Sequence, residues 1–189
     1  MTDLAIRAAR ESDLDAITAI YADAVENGTS SYELSPPGRA EMGKRFAALA
    51  EGRFPYLVAE RGGDLLAYAY AGPFRPRPAY RFVLEDSVYV APHARGQGAG
   101  TAVLAALIDA ARGQGYRQMI AVIGDGRPDS ASVRLHRRLG FRDAGLLTGT
   151  GYKHGRWLDT AFMQIELNGG TAQAPDPASE PEKRFRVSS

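Results

Sequence analysis

Apolar and polar residues follow two periods along this chain, and the first of its predicted elements are a strand and two helices. Leu4 to Ala8 alternates as a short strand. Apolar residues three and four apart then predict a helix that Ser12 caps. The same spacing predicts a second helix over residues 37–51, with a buried stripe of Met42, Phe46 and Leu49.

A β-hairpin is the next predicted element. The apolar runs Tyr56–Glu60 and Leu65–Ala71 are joined by Arg-Gly-Gly-Asp, a favourable turn sequence. Between Gly72 and Leu84 the chain is basic, aromatic and rich in proline, which excludes a central strand there. This segment is either a solvated surface loop or one wall of a pocket.

The central stretch runs from Ser87 to Thr101 and reads as strand, loop and helix. Val88–Val90 is a strand, and the loop after it contains Gly96, Gly98 and Gly100. Glycines expose backbone amides, and a helix start adds unpaired N–H groups and a positive dipole end. Such a loop can hold an anion such as a diphosphate, although turns of this kind also occur for steric reasons alone.

The remaining pattern completes a mixed sheet. Residues 117–123 predict a strand parallel to the Val88 strand, because a helix connects the two. Residues 130–139 predict a short helix, and 142–148 and 157–167 predict two final strands with a loop over 149–155. From Asn168 the sequence is polar, so we expect one domain over residues 1–167 and a disordered tail over 168–189.

Composition narrows the class of protein. The chain of 189 residues has 23 basic and 22 acidic side chains, a balance that argues against nucleic acid or an anionic membrane as a partner. It contains no cysteine, and its three histidines are too scattered to predict a metal site. No leader segment and no apolar run of about 20 residues is evident, so we expect a soluble cytoplasmic protein.

The order of these elements, together with Arg-Gly-Gln-Gly-Ala-Gly at residues 95–100, resembles the Gcn5-related N-acetyltransferase (GNAT) superfamily and its Q/R-x-x-G-x-G/A motif. The resemblance implies an α/β (α+β) fold: a mostly antiparallel sheet of six or seven strands, with about four helices on both faces. A bulged central strand and a parallel neighbour that splays from it would open a cleft for acetyl-CoA.

A narrower resemblance is to the phosphinothricin and methionine sulfone N-acetyltransferase subgroup. It covers residues 4–167 and rests on five segments in the same order, which are residues 68–80, 85–90, 120–124, 132–141 and 152–159. It implies an N-acetyltransferase with acetyl-CoA as co-substrate, no metal, and direct attack by the amine of a small amino-acid-like substrate. The subgroup is dimeric, which implies a homodimer with residues 152–157 near the partner's site.

The resemblance also implies a set of cofactor contacts. Backbone groups of the central strand would bind the pantetheine arm, and loop amides would bind the diphosphate; these residues are Val88, Tyr89, Val90, Arg95, Gly96, Gln97, Gly98, Ala99, Gly100 and Thr101. Ser132 completes the set. The superfamily's usual asparagine is Asp129 here, and a carboxylate cannot donate as an amide does, so no cofactor contact is carried over to it.

Two residues are the candidate catalytic groups. An alkyl ammonium has a pKa near 10.4, so a base must accept its proton near pH 7. Glu85, placed just before the central strand, matches the subgroup's acidic position, although an isolated glutamate there is ordinarily a solvated charge. His136 is either a half-buried histidine that closes its helix against the sheet or an acid/base group that returns a proton to the departing thiolate.

The predicted substrate site is the basic and aromatic loop. Arg75, Arg77 and Tyr80 would bind a carboxylate and other oxygens, because a guanidinium fork suits carboxylate geometry. Phe74, Phe82 and Tyr32 would form an apolar wall. Two alternatives stay open: an acetyltransferase for a peptide N-terminus or a polyamine, and a non-catalytic acyl-CoA-binding sensor.

Overall fold

The structure is a computed structural model that describes residues 3–187. Residues 1–2 of the expected domain and residues 188–189 of the expected tail therefore lie outside the described residues. Within 3–187 it contains seven strands and five α-helices. The strands are β1 (Ala5–Ala8), β2 (Tyr56–Arg61), β3 (Asp64–Pro73), β4 (Val83–Val90), β5 (Gln118–Ile123), β6 (Arg142–Lys153) and β7 (Arg156–Glu166). The helices are α1 (Leu14–Asn27), α2 (Arg39–Glu51), α3 (Ala99–Gly113), α4 (Ala131–Arg138) and α5 (Glu180–Val187).

The seven strands form one mixed sheet in the order β1-β2-β3-β4-β5-β7-β6. Among the described strands, β4 and β5 are the one parallel pair, as the intervening helix predicts. Their pairing ends at Asp86 and Ala121, while β4 continues to Val90 and β5 to Ile123. The expected splay is therefore present, and it opens a cleft at the centre of the sheet.

The helices cover both faces of the sheet. Side chains alternate along β4, so Tyr89 and Val90 face opposite sides. The ring of Tyr89 contacts Tyr21 of α1, whereas Val90 lies against Gly100 of α3. Helices α1 and α2 thus lie on one face, and α3 with α4, whose His136 reaches Asp86, on the other.

Several local expectations are wrong. Ser12 does not cap α1 but lies in a 3-10 turn, Glu11–Asp13, because the Asp13 carboxylate accepts hydrogen bonds from the Arg7 side chain and the Arg10 amide. The expected bulge in β4 is absent on its β3 side, where the register is unbroken. Most of the loop expected over residues 149–155 is strand, and only His154 and Gly155 form the turn of the β6–β7 hairpin.

The segment after Leu167 also differs from the expectation of a disordered tail. It contains helix α5, which docks on the rest of the chain. The Arg184 guanidinium lies 4.1 Å from the centroid of the Phe54 ring and donates a hydrogen bond of 2.5 Å to the Tyr116 hydroxyl. A polar sequence is therefore ordered here by stacked arginines and ion pairs, which hydrophobic periodicity does not detect.

Candidate active site

The glycine-rich loop after β4 forms one end of the central cleft. Gly96 and Gly98 have φ of 77° and 87°, a conformation that favours glycine. Gly98 precedes α3, and a Cβ added to Gly100 would lie 2.9 Å from Cγ2 of Val90. The loop thus exposes the N-terminus of α3, whose first amides have no partner within the helix.

The cleft has a volume of about 770 Å³. It is lined by most of the predicted cofactor residues, namely Val88, Tyr89, Val90, Arg95, Gly96, Gly98, Gly100, Thr101 and Ser132. Gln97 and Ala99 do not line it; the Gln97 amide instead donates to the carbonyl of His93 over 2.7 Å. Asp129, to which no contact was assigned, does line the cleft.

His136 is buried in the wall of the cleft, with 2% of its surface exposed. Its Nδ1 lies 2.7 Å from the carbonyl oxygen of Ser132, and its Nε2 lies 2.9 Å from Oδ2 of Asp86. Burial lowers the pKa of His136, but the charge and the hydrogen bond of Asp86 oppose it, and the net direction is upward. Each ring nitrogen thus already has a partner in the protein, so neither is free to face the cleft.

Asp86 is the residue that sequence reasoning missed. Its side chain is buried in the cleft wall, and its Oδ1 has no hydrogen-bond partner in the part of the chain that the structure describes. The signal was present in the strand period: if Glu85 faces one side of β4, Asp86 must face the other, where α4 lies.

Glu85 lies within β4 rather than before it, and its side chain is on the α1 and α2 side of the sheet. Its Cα is paired with Gly72 of β3 and Ile120 of β5. The pKa of Glu85 is raised above its usual value, mainly by burial. The charge of Arg75 opposes this rise, and the charge of Asp86 adds to it. Glu85 does not line the large cleft itself, but stands at the last parallel pairs before β4 and β5 separate.

A second, smaller pocket of about 290 Å³ lies on the same side of the sheet as Glu85. Its lining is mainly aromatic and aliphatic, with one guanidinium: Tyr21, Met42, Arg45, Ala48, Leu49, Tyr56 and Tyr70. Burial raises the pKa of Tyr70, a hydrogen bond with Ser87 lowers it, and the nearby Glu85 charge raises it. Tyr70 therefore lines this pocket and also lies close enough to Glu85 to be affected by its charge.

The predicted substrate residues fall into two groups. In the loop over residues 74–82, the Phe74 and Tyr80 rings meet edge to face at 5.8 Å, and the Arg75 guanidinium lies 4.7 Å from the Phe74 centroid. Arg77 is exposed on the same loop. Phe74 thus contacts both Tyr80 and Arg75, and none of these four loop residues lines the large cleft.

Phe82 and Tyr32 make other contacts. The ring of Phe82 packs under the Arg81 guanidinium at 4.5 Å, and Phe82 lies outside the Phe74–Tyr80 pair. The Tyr32 hydroxyl lies 2.8 Å from Oγ1 of Thr160 in β7, and its ring covers Gly124 and Gly151. Phe82 lies in the same loop as Phe74, whereas Tyr32 packs against the end of β5 and against β6.

Two features are absent from the part of the chain that the structure describes. No helix within residues 3–187 combines the length and apolar character that crossing a membrane requires. Over the same residues, no group of three or more histidine, aspartate or glutamate side chains is arranged to hold a metal ion.

Comparison with known proteins gives a consistent result. The family model "Acetyltransferase (GNAT) domain" matches residues 6–162. The chain is 52% identical over 171 residues to phosphinothricin N-acetyltransferase of Alcaligenes faecalis, covering 90% of this chain and 86% of that one. It is 44% identical over 171 residues to L-methionine sulfoximine/L-methionine sulfone acetyltransferase of Pseudomonas paraeruginosa, covering 90% and 98%.

A solved structure is similar over almost the whole chain. It is the GNAT superfamily phosphinothricin acetyltransferase of Sinorhizobium meliloti in complex with acetyl-CoA. The TM-score is 0.93 at 49% sequence identity, and the match covers 98% of this chain and 100% of that one. A match over 98% of this chain includes most of the segment after Leu167, which carries α5.

Proposed function

This chain belongs to the GNAT acetyltransferase family, and from that membership we propose that it acetylates the amine of a small amino acid of the phosphinothricin, methionine sulfone or methionine sulfoximine type. The enzyme is an acyltransferase, and acetyl-CoA is its co-substrate. One observation carries the substrate class: burial raises the pKa of the half-buried Glu85, and the positive charge of Arg75 on the basic loop is close enough to oppose that rise. A base for the amine and a binder for the carboxylate thus lie side by side.

The cleft fits acetyl-CoA in its chemistry. Acetyl-CoA supplies an acetyl group activated as a thioester. The positive-φ glycines and the open start of α3 suit its diphosphate, and the unpaired edge of β4 beyond Asp86 suits the amides of the pantetheine arm. Arg127, Arg134 and Arg138 also line the cleft and add positive charge for the phosphates.

Glu85 is the proposed general base. The amine must lose a proton before it can attack, and a carboxylate whose pKa is raised by burial accepts that proton more readily than a solvated one. The proton would go to a Glu85 carboxylate oxygen, directly or through one water. Attack by the amine within a ternary complex needs no covalent acyl-enzyme, and the chain has no cysteine to form one.

His136 is proposed to act together with Asp86. Because its Nε2 is bonded to Oδ2 of Asp86, that carboxylate can carry a proton between His136 and the cleft. The unpartnered Oδ1 of Asp86 lies at the cleft wall. The pair can therefore hold one proton beside the site and return it to the departing thiolate, the role assigned to His136 alone from the sequence.

Arg75, Arg77 and Tyr80 are the proposed carboxylate and oxygen contacts, with Phe74 ordering Arg75 beneath them. The small aromatic pocket beside Tyr70 is the proposed place for the substrate's side chain. Its volume of about 290 Å³ limits the substrate to a small molecule. Tyr32, which also bonds to Thr160, and Phe82, which also packs against Arg81, stay proposed apolar contacts.

A homodimer is part of this proposal. Large apolar side chains are exposed along edge strand β6 and the start of β7, which are Leu146, Leu147, Tyr152 and Trp157. An apolar sheet edge of this kind favours association. We further propose that residues 1–167 form the acetyltransferase domain and that the enzyme acts in the cytoplasm, where acetyl-CoA is available.

The test is release of free thiol from acetyl-CoA in the presence of single amines. Phosphinothricin, methionine sulfone and methionine sulfoximine should give the highest kcat/KM, above a peptide N-terminus and a polyamine. Faster turnover of the peptide or the polyamine would contradict the proposed substrate class. Tight acetyl-CoA binding without turnover of any amine would favour the sensor alternative.

A further inference from the structure

Helix α5 packs on segments that adjoin the sheet, at the base of the substrate loop, residues 74–82. The Glu180 amide donates to the carbonyl of Gln114 over 3.0 Å, and Arg184 binds Tyr116 and stacks on Phe54. These contacts leave the middle of α5 facing Arg81, the residue that ends the 3-10 turn Pro78–Tyr80.

Arg81 is held on three sides. Its guanidinium lies between the rings of Phe82 and Phe185, at 4.5 Å and 4.7 Å from their centroids. Its Nη2 and Nε donate to Oε1 of Glu182 over 2.7 Å and 3.2 Å. Stacking and a two-nitrogen contact with a carboxylate are both specific to arginine, so the side chain has one orientation.

The same guanidinium holds the substrate loop. Nη1 of Arg81 donates to the carbonyl of Pro78 over 3.3 Å, and the Arg81 amide donates to that oxygen over 3.1 Å. The turn fixed in this way carries Tyr80, which packs on Phe74, and Phe74 lies under Arg75. A continuous series of contacts therefore joins α5 to the cation that acts on Glu85.

We propose that Arg81 and Glu182 are positioning residues through which helix α5 orders the substrate loop, residues 74–82, for the amine substrate. The inference rests on the proposed function, because it takes that loop to bind the amino acid. Over residues 75–80 the loop is exposed, and there it pairs with no strand of the described chain. Ordering it only upon binding would cost affinity, and a loop held in advance avoids that cost.

The effect should be confined to one substrate. No residue of the substrate loop or of α5 lines the large cleft. Loss of the Arg81–Glu182 contact should therefore raise KM for the amino acid and leave KM for acetyl-CoA unchanged. A general loss of stability would instead lower the melting temperature and the apparent kcat, with no selective change in one KM.

The first experiment compares Glu182→Gln with Glu180→Gln in the full chain. Both variants remove one negative charge from α5, but Glu180 pairs with Lys183 and Arg53 and does not touch the substrate loop. We expect Glu182→Gln to raise the amino acid KM about fivefold, the scale of a partly exposed ion pair, and Glu180→Gln to leave it unchanged. Equal amino acid KM values in the two variants would overturn the inference.

A double-mutant cycle and hydrogen exchange give independent readouts. The double variant, which combines Arg81→Ala and Glu182→Gln, should raise KM for the amino acid no more than Arg81→Ala alone. Both substitutions act through the same contact, so their effects should not add. Amides of residues 74–82 should exchange faster in Glu182→Gln than in Glu180→Gln. If the wild-type enzyme acetylates no amino acid, the proposed function fails, whereas unchanged exchange in an active enzyme overturns only this inference.

Discussion

The Nε2 atom of His136 lies 2.9 Å from Oδ2 of Asp86, and at most 2% of either side chain is exposed. Removal of one partner from a buried ion pair leaves an uncompensated charge, so Asp86→Asn should lower the free energy of unfolding by about 3 kcal/mol. Chemical denaturation measures this. Asp23→Asn, which breaks the partly exposed pair with Arg95, is the control and should cost less than about 1 kcal/mol.

The same pair predicts how stability depends on pH. The pKa of His136 is raised above 6.5, because the charge and hydrogen bond of Asp86 outweigh the opposing effect of burial. A raised folded-state pKa stabilises the fold fully below pH 6.5, and that stabilisation is lost as the pH rises through the folded-state value. The stability difference between wild type and Asp86→Asn should therefore shrink as the pH increases above 6.5, and a difference that grows would contradict the assignment.

Glu85→Gln should reduce kcat about 100-fold or more, the scale of a lost general base, without changing KM for acetyl-CoA. Glu60→Gln, a partly exposed carboxylate on β2 that pairs with Arg7, serves as the control and should retain activity. Thiol release at saturating substrate measures both. An undiminished kcat would remove Glu85 from the mechanism.

Arg75→Ala should shift the acidic limb of the pH–kcat profile to higher pH. The charge of Arg75 lowers the pKa of Glu85, so its removal lets burial raise that pKa further, and the base is protonated over a wider range. Arg77→Ala is the matched control, because Arg77 is not among the groups that shift Glu85. It should weaken substrate binding and leave the limb in place; identical shifts in both variants would argue against the direct effect of Arg75.

Gly98→Ala should raise KM for acetyl-CoA about fivefold. Its φ of 87° costs an alanine about 1 kcal/mol, and relaxation of the backbone would turn loop amides away from the diphosphate. Gly113→Ala, at the other end of α3 in open space, should leave KM unchanged. Calorimetric titration of acetyl-CoA into both variants distinguishes the local effect from loss of the helix.

Trp157→Glu should convert a dimer into a monomer, because it places a charge on the exposed apolar edge formed by β6 and β7. Leu34→Glu is the control, since Leu34 is more exposed than Trp157 but lies in the loop between α1 and α2. Light scattering after size exclusion gives the mass in solution. A monomeric wild type would contradict the proposed homodimer.

The order of the elements was predictable because each depends on local pattern. The hairpin of β2 and β3, the helix after the glycine loop and the parallel pairing of β4 with β5 all follow from apolar periods, turn residues and the handedness of a crossover. The boundaries at Ser12, in residues 149–155 and after Leu167 were wrong because other contacts decide them: Arg7 with Asp13, the pairing of β6 with β7, and Arg184 with Tyr116.

For the site, the sequence by itself determined which chemistry is available: a glycine loop for an anion, one carboxylate just before the central strand and a basic loop for an acidic substrate. Only the tertiary structure decided how these groups are arranged. It pairs His136 with Asp86 across 50 positions of sequence, places Tyr32 beside Thr160, and brings Glu182 of the polar tail onto Arg81. Burial and ion pairing depend on three-dimensional proximity, and local periodicity carries no record of them.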